Sequence, residues 1–490
     1  MALPPQNQWK TLDKDLGRID RLEEATHFVA RPLVAPGIAL AFVALTGIGA
    51  AVFFGAQPGA LVVIAAAVIG AYMALNIGAN DVANNMGPAV GANALTLGGA
   101  LLIAAVFETA GALIAGGDVV KTISAGIVAP GAFEHTATFI WAMMAALLAA
   151  ALWLNLATWF GAPVSTTHSI VGGVVGAGIA AGGMDAVNWV AMGRIALSWI
   201  ISPVLGGLIA ALFLALIKAR IMYAEDKIAA ARRWVPVLIG IMAGAFAAYL
   251  ALKGLSKVVK IDLASAVTIG FSVGVVAWGV MVPVIRRQSE AMENRKKSLK
   301  RLFAVPLVVS AALLSFAHGA NDVANAVGPL AAIVHAVGEG DAGASVVAIP
   351  IWVMTIGAGG ISFGLVLFGP KLIRIVGNEI TKLNPMRAYC VALSAAVTVI
   401  VASWLGLPVS STHIAVGAVF GVGFFREWHA ERRARALGLV KGKVVPPEER
   451  RRRKLVRRSH LIAVAAAWVI TVPASAALSA LVFAVLRFIA

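Results

Sequence analysis

Gly78-Ala-Asn-Asp-Val-Ala-Asn84 returns letter for letter as Gly319-Ala-Asn-Asp-Val-Ala-Asn325, and Gly87-Pro88 returns as Gly328-Pro329. Downstream of each copy a second stretch repeats: Gly161-Ala-Pro-Val-Ser-Thr-Thr-His-Ser169 is matched by Leu407-Pro-Val-Ser-Ser-Thr-His-Ile414. Further on, Trp199 to Pro203 resembles Trp468 to Pro473 with a one-residue slip. Matched stations in one order and at nearly one spacing define two repeats, 60–222 and 303–489.

The repeats sit in a chain of 490 residues that is 60% hydrophobic and 13% charged, with a mean hydropathy of +0.89. That is not a soluble composition. Apolar runs of bilayer-spanning length, about 20 residues, recur from Pro36 to Ile489. They are continuous rather than alternating, which argues against a β-barrel. The expected fold is an all-α polytopic membrane protein with about 12 transmembrane helices. The net charge of +17 falls between the apolar runs. It reads as the cytoplasmic excess of Lys and Arg, not as a nucleic-acid surface. Cys390 is the single cysteine, so an intrachain disulfide and a cysteine metal motif are excluded.

Residues 1–34 read as a cytoplasmic tail with no cleavable signal, and 35–59 as an extra span. Residues 223–302 read as linking loops with two spans. The second repeat carries a basic loop, 426–458, whose run Arg450 to Lys454 suits the positive-inside rule or anionic lipid. Placing the basic loops 223–233, 286–301 and 426–458 in the cytoplasm sends the span of Asp81 inward and the span of Asp322 outward. The repeats are then inverted, with the first residue inside and Ala490 outside. Inverted repeats with broken helices are the architecture of secondary transporters.

Each Pro-Val-Ser stretch reads as the start of a half-helix. Pro163 suits the first turn. Ser165, Thr166 and Thr167, with Ser410, Ser411 and Thr412, add hydroxyls to unpaired backbone N–H groups and the positive helix end. Two such donor sets at membrane depth form anion cradles. The competing reading of these residues is plain helix capping. No arginine stands close by in sequence, so the anion would be held by neutral donors and released readily.

Asn80, Asp81 and Asn84 fall at i, i+1 and i+4, as do Asn321, Asp322 and Asn325. A carboxylate at the bilayer centre costs about 2.5–3.5 kcal/mol on insertion scales and implies a partner. Carboxylate and amide oxygens suit a hard cation such as Na⁺; a proton is the rival, and interhelical hydrogen bonding is the bland alternative. Glycines and Pro88 around the first copy predict a break in the helix there. Glu108, alone in an apolar span, is a further candidate cation or proton site. His168 and His413 read as structural, and Asn155, Thr158 and Ser403 as hydrogen bonds between helices.

With both motifs present twice, the sequence closely resembles the inorganic phosphate transporter (PiT) family over 60–222 and 303–489. The resemblance implies two re-entrant segments, a homodimer in the plasma (inner) membrane, and phosphate import driven by a cation gradient. It places phosphate at Ser165–Thr167 and Ser410–Thr412, with the Asn and Asp residues serving cation and substrate. The Gly-Ala-Asn-Asp-Val-Ala-Asn form looks like the sodium-coupled branch. No cofactor is expected beyond the co-transported Na⁺ or H⁺. Sulfate transport is the nearest alternative, since some members carry it. An anion channel fits buried aspartates poorly. A hydrolase built on Ser165 and His168 would not need two copies of its site.

Overall fold

The computed structural model describes residues 33–159, 164–255, 259, 261–339, 349–375, 383–436 and 458–489. The tail 1–32, the Gly161–Pro163 lead into the first cradle and the run Arg450–Lys454 lie outside them. Eleven helices among the described residues are long and apolar enough to cross a membrane. Helix α1 is Leu33–Phe54, the extra span. The first repeat holds α2 (Ala60–Gly91), α3 (Leu97–Ala115), the short α4 (Gly117–Lys121), α5 (Thr136–Trp159), α6 (Thr166–Gly182) and α7 (Trp189–Ile217). The linking spans are α8 (Lys227–Lys253) and α9 (Leu263–Ser289), followed by the short α10 (Lys296–Leu302). The second repeat holds α11 (Ala304–Glu339), α12 (Ile351–Ile375), α13 (Pro385–Trp404), α14 (Ser411–Ala436) and α15 (Arg458–Ile489).

Two expectations are corrected. The Asn-Asp motif does not interrupt its helix: α2 and α11 run unbroken through it and carry Pro88 and Pro329 internally. Proline inside a membrane helix is tolerated where neighbouring helices and side chains satisfy the freed carbonyl. The breaks lie where α5 gives way to α6 and α13 to α14. Helix α14 also continues through 426–436, so part of the basic segment is helical.

Packing between the repeats is reciprocal. Helix α2 packs on α12 and α11 on α3; α6 packs on α15 and α14 on α7; α13 packs on α7 and α15 on α5. The same glycines make these approaches possible in both directions. A Cβ on Gly78 would fall 1.9 Å from the Ile361 carbonyl oxygen, and one on Gly319 would fall 2.1 Å from that of Glu108. Gly111 sits likewise against Phe316, and Gly364 against Leu75. Gly172 meets Val472, and its counterpart Gly417 meets Pro203, which fixes the slip at the last station. Only a residue without a side chain permits such helix crossings. By this register Glu108 corresponds to Ile361 and Thr109 to Ser362. Thr109 and Ser362 meet each other, Oγ1 to Oγ 2.6 Å.

Candidate functional site

The two half-helices begin against the two Asn-Asp motifs. Ser165 lies just before α6 in extended backbone, and its Oγ accepts from the His168 N–H at 3.2 Å. Ser410 does the same for His413 at 3.3 Å. Both serines are thus N-caps, while each hydroxyl proton remains available. Trp199 fastens the second cradle by donating from Nε1 to the Pro408 carbonyl at 2.9 Å.

The next residues point at the carboxylates in a crossed pattern. Asp81 accepts from Thr166 at 3.1 Å, in its own repeat, and from Thr412 at 3.0 Å, in the other. Asp322 accepts from Ser411 at 3.0 Å, in its own repeat, and from Thr167 at 3.4 Å, in the other. The asparagines follow the same rule: Asn84 donates to Thr412 at 2.8 Å and Asn325 to Thr167 at 3.2 Å. Eight side chains far apart in sequence therefore form one site with two-fold pairing. Asp81, Asp322, Asn325, Thr166, Thr167 and Ser411 are buried, whereas Asn84 and Thr412 are half-buried. Asn321 also lies in the site and bonds to Ser403, 3.1 Å away. Its counterpart Asn80 is half-buried, and the side chain of Thr158 lies outside the described set.

Glu108 joins this site through a residue that sequence reading passed over. His318 Nδ1 is 3.1 Å from Glu108 Oε2, and its Nε2 is 2.8 Å from Asp322 Oδ2 and 3.8 Å from Asp81 Oδ2. Asn85 donates to the other oxygen of Glu108 at 2.9 Å. All of these groups are buried. Ligand atoms of Asp81, His318 and Asp322 lie within 4.8 Å of one another, close enough to share one metal ion. The signal for His318 was its i, i+4 spacing from Asp322. His168 and His413 are different: their rings pack edge to face, centroids 4.4 Å apart, with Trp199 against His168. Asn155, held to Tyr72, is an interhelical bond.

Three carboxyl groups facing one imidazole leave the site short of positive charge. Hydroxyls, amides and free N–H groups at two helix starts offer donors to an anion. Such an anion meets like charge, however: two unit charges about 4 Å apart repel by about 4 kcal/mol at an effective dielectric of 20. Cations held by the same carboxylates would remove that penalty.

Comparison with known proteins follows the same lines. The sequence profile described as the phosphate transporter family matches residues 77–479. A protein of Helicobacter pylori assigned as a phosphate permease is 48% identical over 433 residues, covering 88% of this chain and 81% of that one. A counterpart in Pyrococcus abyssi is 36% identical over 419 residues, covering 86% and 96%. A solved structure, the sodium-dependent phosphate transporter, superposes with a TM-score of 0.77 at 36% identity, covering 88% of this chain and all of the other.

Proposed function

The chain belongs to the phosphate transporter family and is a membrane-embedded transporter rather than an enzyme; we propose that it imports phosphate by symport with Na⁺. The observation that carries this reading is the sharing of hydroxyls. Thr166, Thr167, Ser411 and Thr412 donate to Asp81 and Asp322 in the structure. The same hydroxyls, with the N–H groups of their helix starts, are the donors for phosphate. The anion is then bound well only when cations occupy the carboxylates, and that dependence is coupling. Glu108 and His318 stand behind the cation positions as orienting groups. Sodium coupling is favoured by the likeness to the sodium-dependent transporter and by the oxygen-rich donor set.

The repeats run inverted in this reading. Gly91, Ala92 and Asn93, at the end of α2, line one cavity with Lys300 and Arg301 of α10 and with Ala304, the first residue of α11. One helix ending where its counterpart begins supports antiparallel halves, with the basic side cytoplasmic and Ala490 outside. Alternating access would exchange the shapes of the two halves around the fixed site. A plasma-membrane homodimer remains part of the proposal.

The test is uptake of labelled phosphate into proteoliposomes of the full chain, with and without an inward Na⁺ gradient. Accumulation only with the gradient is expected. Equal accumulation under a proton gradient alone would move the coupling to H⁺. Preferred uptake of sulfate would replace the substrate, although sulfate lacks the proton that phosphate can donate to an aspartate.

A further inference from the structure

On the basic side of the bundle a group of cations lies partly out of water with fewer acids than cations. Lys218, in the last turn of the span Trp189–Met222, faces the positive charges of Arg426, Arg387, Arg433 and Lys296. Lys218, Arg387 and Arg426 are half-buried. Among the described residues no carboxylate pairs with Lys218, Arg387 or Arg433. Glu427 is the acid felt by Arg426, and Glu431 on the same helix turns to Arg435. Cations that merely mark the cytoplasmic face would stand apart in water. These instead converge from α7, α10, α13 and α14, although half-burial of like charges is unfavourable.

Aromatic rings hold the group in place. Lys218 Nζ lies 5.2 Å from the Phe425 ring centroid, and the Arg433 guanidinium lies 4.4 Å from that of Tyr223. Tyr223 in turn stacks on His429, centroids 5.7 Å apart. These contacts order the cations but supply no full negative charge. An anion seated among them would supply that charge.

Height along the helices points to the source. Arg426 is fifteen residues beyond Ser411 on one continuous helix, about 22 Å at a rise of 1.5 Å per residue. If the shared site lies near mid-bilayer, that distance passes the half-thickness of the hydrocarbon, about 15 Å, and reaches the headgroup layer. Arg387, sixteen residues before Ser403 on α13, reaches the same level. We propose that Lys218, Arg387 and Arg426 form a binding site for the phosphate-bearing headgroup of an anionic lipid of the inner leaflet. The guanidinium groups grip the phosphate oxygens, and the exposed rings of Phe424 and Trp428 flank them at headgroup level. A lipid so held would tie α14, which carries the second cradle, to α7 and α13.

The experiment measures lipid retained by the purified full chain, by native mass spectrometry after washing in zwitterionic detergent. Phosphatidylglycerol and phosphatidylcholine are compared as added lipids. Wild type should keep phosphatidylglycerol selectively. Arg387→Gln with Arg426→Gln should hold it roughly 30-fold less tightly, since each basic residue contributes about a five-fold factor near such a surface. The control is Arg286→Gln with Arg287→Gln, which removes the same charge from exposed positions and should leave retention intact. Equal loss in both double variants, or in neither, overturns the site. Unchanged melting temperatures in zwitterionic detergent confirm that the variants are folded. Displacement of the lipid by millimolar inorganic phosphate would reassign the site to the free anion and overturn the lipid proposal.

Discussion

The Asn-Asp motif of the first repeat and that of the second are the same seven residues, yet their surroundings differ chiefly on one side. Towards the half-helices the two are matched: Asp81 receives Thr166 and Thr412, and Asp322 receives Ser411 and Thr167. Towards the rest of α2 and α11 they are not. The residue before the motif is Ile77 in one copy and His318 in the other, and the residue after it is Asn85 in one and Ala326 in the other. The helix packed against His318 offers Glu108; its counterpart on α12 is Ile361. The matched side thus carries the same hydroxyl–carboxylate pairing twice. A single-copy triad of Asn85, Glu108 and His318 then made the two carboxylates unequal. Under the proposed transport cycle, the matched half of the site would handle what both access states must bind. The unmatched half is where a preference between the two aspartates can reside.

The largest expected effect tests the matched half. Asp81→Asn and Asp322→Asn should each reduce gradient-driven phosphate uptake to background while the protein still purifies folded. Full uptake in either variant would remove that carboxylate from the coupling site. Next comes the unmatched triad. Glu108→Gln should raise the Na⁺ concentration for half-maximal uptake by about 10- to 100-fold, the usual cost of losing an orienting partner. Replacing both Glu108 and His318 by Ile makes the first wing copy the second. Exchange of a buried ionic pair for apolar groups is often neutral or stabilising. Melting temperature should therefore hold while sodium dependence weakens; normal sodium dependence in this variant would reduce the triad to packing.

A smaller effect tests whether the halves are equivalent at all. Thr166→Ala and Ser411→Ala each remove one hydroxyl from corresponding places. At about 1 kcal/mol per net hydrogen bond, each should raise the apparent KM for phosphate roughly five-fold. A difference between the two exceeding ten-fold would deny them a shared role. The smallest effect belongs to Ser165→Ala and Ser410→Ala. Loss of a cap costs about 1 kcal/mol of stability, visible as a lower melting temperature. A KM change beyond that of the Thr166 and Ser411 variants would return these serines from capping to direct anion contact.

Much of this was legible in the letters. Identical motifs gave the repeats and named the residues Asn80 to Asn84 and Asn321 to Asn325. Proline followed by hydroxyl residues gave the starts of α6 and α14. What failed did so for physical reasons. His318 was hidden because comparison of the repeats weights what they share, and it stands where the other copy has Ile77. The crossed bonds from Thr412 to Asp81 and from Thr167 to Asp322 join residues 331 and 155 positions apart, which no local spacing encodes. The expected break at Gly78–Pro88 did not occur; Gly78 serves close helix crossing against Ile361 rather than chain bending.

The contact between Thr109 and Ser362 has a consequence for how the protein would turn over. If the two access states differ by trading conformations between the halves, the separation of any residue from its own counterpart is the same in both end states. Thr109 and Ser362 are such counterparts, and they already touch. A covalent staple between them, made by Thr109→Cys and Ser362→Cys, should therefore leave the carrier running. A staple between unlike positions should jam it.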